Sequence, residues 1–443
     1  LTEALRAFII AMPVYRTYVR AANDEVDDAD RALVAEALAD ARERHPEIDP
    51  ALLAFLGRIC TLDERGMLQD RLAMAIQQLT PAVMAKGVED TAFYRHVRLV
   101  ALNEVGGDPA RFGASVADFH AAALERQRDG PRGMLASSTH DAKRGEDVRA
   151  RLVLLSEMPD RWGAAVASWS EAAARHGRPD RPTEYLAWQT IVGAWPISAD
   201  RAWEYLRKAV REAKLHTRWT NPDASYEDDL EAWLRGLLAD PSVTTLVAAF
   251  VADLEPAAHA TSLSQTLLRF TAPGIPDTYA GTELWSHALV DPDNRRPIDY
   301  ERRRSLLERA RTASAADAWT DATGGPAEAG GAAAEAGLAK LFLVHRALEL
   351  RARLLDAFVG DYRPLETDGA HADRVVAFAR GKAVVSVAPR LLISVLRHGW
   401  GDTRLVLPDG TWRNVLDGRE HAGRVAVGNL LADFPVALLE RGA

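Results

Sequence analysis

Apolar positions recur at helical spacing through the first 75 residues. Leu1, Leu5, Phe8, Ile9 and Met12 share one face, and Leu33, Leu38, Leu52, Leu53 and Phe55 supply others. Pro13, the Asn23-Asp24-Glu25 run and His45-Pro46 punctuate these segments, so the opening reads as a helical module. The pattern then changes. At residues 81–85, and again at 134–136, a short apolar run breaks into a dense polar cluster and then returns to helical spacing. Two strand-loop-helix units in series predict an alternating α/β architecture. Helical patterns fill 145–262, an insertion between two strands. A third cluster at 270–285 places Pro273 and Pro276 at the start of a strand and Glu283 just after it. Residues 313–337, rich in Ala and Gly, read as a flexible connection, and 341–358 as a helix. After Tyr362 come short β-rich runs at 375–378, 383–387, 392–395, 405–407, 425–427 and 436–439, separated by turn signals such as Pro408-Asp409-Gly410. They predict a small antiparallel β domain.

The polar clusters carry the candidate chemistry. His140 and Asp141 can bring a hydrogen-bond donor and a carboxylate to one ligand; alternatively, Asp141 caps the following helix and His140 is an ordinary loop residue. Lys86, Glu89 and Asp90 form a solvated charge network or are aimed at polyol hydroxyls. Tyr15 and Tyr18 are able to meet a sugar ring or simply pack. The 211–219 segment, which mixes charge with Trp219, is either a cover over a ligand cleft or an amphipathic helix end. Acidic residues at 291–293 hint at calcium, but the glycine and distal glutamate of an EF-hand loop are missing, so no metal site is assigned.

Composition narrows the choice of function. The 54 basic and 63 acidic side chains give a net charge of −9, with no long basic run to track phosphates, so no nucleic-acid partner is expected. The single cysteine, Cys60, excludes an internal disulfide and a thiolate zinc site. No apolar run approaches the roughly 18 residues a bilayer requires, so no membrane partner is expected and a cytoplasmic protein is. Of the 54 basic residues only six are lysines, which draws attention to Lys86 and Lys143 inside polar clusters, where a compact charge is kept. Leu1 opens a helical face with no cap before it, and the expectation is a chain that begins inside a longer protein.

The stretches MAKGVEDTAFYR (84–95), LNEVGGDP (102–109), STHDAKRGEDVRAR (138–151), REAKLHTRW (211–219), PGIPDTYAGTELW (273–285) and DPDNRRPID (291–299) run in order across most of the chain. Together they resemble the maltooligosyl trehalose synthase family of the alpha-amylase clan. Ala142 and Ala280 depart from the threonine and glutamine of that pattern. The resemblance implies the C-terminal part of a (β/α)8 TIM barrel with helical insertions, followed by a small antiparallel β domain. The implied parts are a helical insertion module (1–75), barrel elements with the His-Asp loop (76–144), a helical insertion (145–262), the last barrel strand and helices (263–360) and the β domain (361–443).

The resemblance also implies an activity: intramolecular transglycosylation that turns the reducing-end α-1,4 linkage of a malto-oligosaccharide into an α,α-1,1 linkage, with no cofactor. Asp141 is then the catalytic residue this chain supplies, holding sugar hydroxyls and supporting ring distortion. His140, Lys86, Glu89, Asp90, Tyr94, Lys143, Arg144 and Glu283 are the expected substrate-binding set. No stretch resembles the family's nucleophile and acid/base carboxylates, so the fragment is expected to be inactive alone, and the partner implied is the remaining N-terminal part of the same enzyme. A non-catalytic glucan-binding or complementing subunit, and a glucan hydrolase of the same clan, are the alternatives.

Overall fold

The computed structural model describes residues 1–323 and 337–442. The chain divides into two compact units, one of Leu1–His96 with Ala209–Pro222, the other of Val97–Lys208 with Asp223–Ala443. This division differs from the expected parts, because residues 76–96 and 209–222 group with the helical opening.

In the first unit, α1 (Thr2–Ile10), α2 (Asp28–Arg44), α3 (Pro50–Cys60) and α4 (Met67–Met84) surround a core of Phe8, Met12, Val34, Ala37, Cys60 and Ile76. Asp49 starts α3 by accepting from Ala51 N at 2.8 Å, with Pro50 at the first helical position. The strand expected at 81–85 is not there. Ala73, Ile76, Gln77 and Thr80 already form the buried stripe of α4, and the apolar run merely prolongs that helix. Beyond Met84 the backbone widens into a π-helix, Ala85–Ala92, and closes on α5 (Phe93–Arg95).

The second unit begins with α6 (Val116–Asp129), where Ser115 and Asp118 form a capping box. β1 (Met134–Leu135) follows. Next come α7 (Glu146–Leu152), α8 (Pro159–Ala173), α9 (Arg181–Ala194), α10 (Ala199–Ala213), whose residues from Ala209 on group with the first unit, α11 (Ala224–Ala239) and α12 (Pro241–Thr271). β2 (Ile275–Pro276) pairs in parallel with β1, Met134 opposite Ile275. A helical insertion therefore does separate two parallel strands. Trp162, Trp169, Trp188, Trp233 and Phe250 knit α8, α9, α11 and α12 together, with neighbouring ring centroids 5.3 to 6.1 Å apart.

α13 (Tyr300–Thr312) and α14 (Ala315–Thr323) come next, so the expected flexible connection is helical over its first part; 324–336 lie outside the described residues. The helix expected at 341–358 is two, α15 (Leu338–Arg353) and α16 (Leu355–Val359), broken where Leu354 leaves helical geometry. The antiparallel sheet comprises β3 (Tyr362–Pro364), β4 (Thr367–Asp368), β5 (Val375–Arg380), β6 (Val384–Pro389), β7 (Arg404–Asn414), β8 (Glu420–Ala426) and β9 (Ala437–Arg441). The strands lie in the order β3-β5-β6-β9-β7-β4, with β8 on β7. β5 and β6 are buried at all positions, which is why their sequences show no alternation.

Two expectations fail here. Residues 392–395 form α17 (Leu392–His398), an apolar run too short to reveal its period. Pro408-Asp409-Gly410 lies inside β7, at a register shift against β8 between Val406 and Thr411, with Gly410 at φ 113°. A single turn, α18 (Val427–Leu430), precedes β9. Among the described residues no single helix is long and apolar enough to cross a membrane.

Candidate functional site

The loop between β1 and α7 is held at both ends. Ser138 Oγ accepts from Glu146 N at 2.9 Å, and Ser137 Oγ donates to Glu146 Oε2 at 2.5 Å, so the start of the loop is tied to the start of the helix. Arg269 reaches both Ser137 Oγ (2.7 Å) and Glu146 Oε2 (2.9 Å) from α12. Gly145 N donates to Ala288 O at 2.8 Å, and a Cβ there would stand 3.0 Å from Ala288 O and 3.1 Å from Ser286 O, so a side chain would crowd two backbone carbonyls that glycine leaves clear. From the other side Glu104 accepts from Lys143 N at 2.8 Å and Arg144 N at 3.1 Å.

Beneath the loop is a buried ionic cluster. Lys340, with no exposed side-chain surface, lies 2.5 Å from Glu146 Oε1 and 3.0 Å from each Asp147 oxygen. Ser262 Oγ donates to Asp147, and Ser286 N donates to its Oδ2 at 2.7 Å. Two carboxylates face two cations, which is how such charges are tolerated away from water. Burial holds Asp147 above the ordinary carboxylate range, only partly opposed by Lys340 and reinforced by Glu146. Burial pushes Glu146 the same way, but Lys340 and then Arg269 outweigh it and leave Glu146 below that range. Arg151, fully buried, donates to Val192 O, Gly193 O and Trp195 O, and to His287 Nε2 at 3.0 Å.

What this framework presents outward is His140 and Asp141, both exposed. Asp141 does not cap α7. The N-cap is Gly145, with no side-chain cap, and Asp141 is positioned through its own N–H, which donates to Thr139 Oγ1 at 3.2 Å. His140 is fixed through its carbonyl, which accepts from Asn294 Nδ2 at 3.0 Å. An exposed carboxylate on a braced loop can accept hydrogen bonds from ligand hydroxyls with little reorganisation.

Lys143 and Arg144 lie in the same loop but are buried; Arg144 donates to Val100 O (3.1 Å) and Tyr205 OH (2.6 Å). Glu283 pairs with Arg303 and accepts from Gly281 N at 2.9 Å. The acidic 291–293 stretch is occupied by arginines: Asp291 with Arg295, Asp293 with Arg201 and Arg296. No three His, Cys, Asp or Glu side chains gather as a metal would require among the described residues.

Lys86, Glu89, Asp90 and Tyr94 belong to the first unit. Lys86 and Asp90 pair at 2.5 Å one turn apart, the lysine largely exposed. Glu89 is buried and accepts from Tyr15 OH, and Tyr94 is buried. Lys214 Nζ reaches Thr91 Oγ1 at 2.5 Å, and the Arg211 guanidinium lies 4.9 Å from the centre of the exposed Trp219 ring. Lys86, Glu89 and Asp90 therefore sit on a π-helix, a feature found frequently at functional sites, with Glu89 turned inward. Glu104, Glu146, Asp147, Arg269, Asn294 and Lys340 were not among the expected residues. A lysine in the apolar run Leu338-Ala339-Lys340-Leu341-Phe342 was the available signal, since a charge there must find a buried partner.

The loop between a parallel strand and a helix is thus backed by a buried ion cluster and offers a carboxylate and an imidazole to solvent. The comparisons with known proteins point to one family. The chain is 39% identical, over 93% of its length, to proteins of Mycobacterium tuberculosis, strains CDC 1551 / Oshkosh and ATCC 25618 / H37Rv, named maltooligosyl trehalose synthase. The solved maltooligosyltrehalose synthase of Arthrobacter ramosus matches 99% of the chain with a TM-score of 0.86 at 37% identity, and the DSM5389 glycosyltrehalose synthase matches all of it with a TM-score of 0.75 at 28% identity. The resemblance to maltooligosyl trehalose synthases read from the motifs is thus borne out. No family model matches. The chain spans about half the length of the curated relatives it matches, and 54% of the Arthrobacter chain.

Proposed function

We propose that this chain is the C-terminal portion of a trehalose-forming transglycosylase, comprising the last part of its (β/α)8 barrel with helical insertions and the antiparallel β domain. In this reading Asp141 holds hydroxyls of the sugar at the bond to be broken and supports its distorted, oxocarbenium-like state. His140 donates to the same ring. The nucleophile and the acid/base carboxylate, roughly 5 Å apart in a retaining enzyme, come from the rest of the protein. Lys86, Glu89, Asp90, Tyr94, Lys143, Arg144 and Glu283 serve substrate binding, and the glucose set free attacks in place of water. The observation that carries this reading is the exposed Asp141 on a loop braced from four directions, in a chain similar to these synthases along nearly its whole length.

The experiment is to join the chain to the missing half of a relative and follow loss of reducing ends from maltopentaose. Asp141→Asn should lower turnover by about 100-fold or more, as for loss of one preorganised electrostatic contact. The melting temperature should hold, because Asp141 has no capping role. Near wild-type turnover would remove Asp141 from the mechanism. The isolated chain should show no conversion; if it does convert, the complementing carboxylates are already within it.

A further inference from the structure

We propose that Asn294 and Thr139 are positioning residues: together they pin the peptide plane that joins His140 to Asp141, and so set the aim of both side chains. This inference rests on the role given to Asp141 above and adds what directs it. Thr139, His140 and Asp141 are three consecutive exposed residues between the buried Ser138 and Ala142. Packing does not fix such a segment, so its geometry depends on the hydrogen bonds made by its backbone.

The peptide unit between His140 and Asp141 is rigid, and the torsions on its two sides, ψ of His140 and φ of Asp141, govern how imidazole and carboxylate point relative to each other. Both polar ends of this unit are engaged. Its carbonyl accepts from Asn294 Nδ2 at 3.0 Å, and its N–H donates to Thr139 Oγ1 at 3.2 Å. The same Asn294 nitrogen lies 3.4 Å from Thr139 O, which also accepts from Ala142 N at 3.3 Å, so one amide spans two successive carbonyls of the turn. Both anchors act on the backbone, which leaves the two side chains available to a ligand.

Asn294 is itself firmly held, although it lies 154 residues from His140 in sequence. It is the middle residue of a 3₁₀ turn, Asp293–Arg295. Its neighbour Asp293 accepts two hydrogen bonds from Arg201, at 3.0 and 2.8 Å, another from Leu289 N at 2.8 Å, and one from Arg296. Tyr279 OH donates to Asn294 O at 3.2 Å. The charge pairs of the DPDNRRPID stretch thus fix a turn that lends a single amide to the loop. Asn294 Oδ1 is sheltered and has no hydrogen-bond partner among the described residues, so the donor end of the amide makes the attachment. An aspartate there would keep the shape and present only acceptors to the His140 carbonyl.

The test compares Asn294→Asp, Thr139→Val and the double variant in the joined full-length enzyme, with kcat and KM taken from loss of reducing ends of maltopentaose. Each single variant should lower kcat about tenfold, as for a modest misplacement of a reacting group. KM should stay within about twofold, because the lost interaction aims a transition-state contact rather than binding substrate. Since both residues act on one peptide plane, the effect of the double variant should differ from the product of the single effects by about threefold or more. In the 443-residue chain, hydrogen–deuterium exchange across 139–142 should quicken in each single variant, with circular dichroism and exchange across 146–152 unchanged. Thr139→Val alters only an exposed side chain, so it reads the proposal even where Asn294→Asp disturbs its own turn. Wild-type kcat in both single variants, effects that simply multiply, a rise in KM with kcat intact, or unchanged exchange across 139–142 would each overturn the assignment. A large loss in Asp141→Asn beside unaffected Asn294→Asp and Thr139→Val sinks this proposal alone, whereas near wild-type turnover in Asp141→Asn removes the Asp141 reading and this inference with it.

Discussion

Replacing Lys340 by methionine is the sharpest test of the ion cluster. The substitution keeps most of the side-chain volume but removes a cation that lies 2.5 Å from Glu146 and 3.0 Å from Asp147, with no exposed side-chain surface. Arg269 then still pairs with Glu146, while Asp147 keeps only its hydrogen bonds from Ser262 and Ser286 among the contacts described above. Breaking one partner out of a buried pair costs about 3–5 kcal/mol, because the charge left behind has lost its compensation. In a body this large each kcal/mol moves the thermal midpoint by about 1.5–2 °C, so a fall of roughly 5–10 °C is expected at pH 7. The pH dependence gives the sign. In the wild type Glu146 is held below its ordinary 4.5, so its share of stability is present above that value and is lost as pH falls through the folded-state pKa. In Lys340→Met Glu146 should rise above its ordinary value and Asp147, already above its own, should rise further, so the deficit should be largest near pH 7 and shrink toward pH 5 as they take up protons. Adding Asp147→Asn to Lys340→Met should restore more than half of the lost midpoint. Thermal melts of the three proteins at pH 7 and pH 5 decide the matter: a shift under about 1 °C, or a deficit that grows on acidification, refutes the paired-cluster account.

Other outcomes follow from the same framework. Gly145→Ala should cost about 1–3 kcal/mol, since its Cβ would press on two carbonyl oxygens, with chemical denaturation as the measurement. Glu104→Ala leaves Lys143 N and Arg144 N without their acceptor and should cost about 1–3 kcal/mol while opening the 139–144 segment to limited proteolysis. Phe342→Ala, in the fully buried core of α15, should cost about 3–5 kcal/mol by the same denaturation measurement. Asp240 is held down at about 2, first by the His176 hydrogen bond and then by Ser242, so His176→Ala should raise its titration midpoint in a carboxylate NMR titration.

The strand-loop-helix order of the 134–152 segment could be read from its short apolar run and the polar cluster after it, whereas the same pattern at 81–85 misled. The framework under it was less legible. Glu146 and Asp147 sit in a quoted motif, but their partners Arg269 and Lys340 come from α12 and α15, and nothing local reveals such long-range pairing. Two of the errors in the elements share one cause. The runs at 81–85 and 392–395 are too short to show a period, so their neighbours decide: α4 extends through the first, and the second turns into a helix after Leu391 takes a left-handed conformation. Tyr205, which anchors Arg144, was hidden among ordinary helical positions.

Lys340 lies 193 residues beyond Asp147 in sequence. On a ribosome adding about 5–20 residues per second, the two carboxylates are made roughly 10–40 s before their lysine, and for that interval the nascent chain has only Arg269, and that late, to meet them. The loop bearing Asp141 thus cannot reach its finished footing while the protein is being extended through its middle helices. Any release of the chain upstream of residue 340 leaves a product with two carboxylates and no lysine to balance them, a species that protein quality control would meet as unfinished.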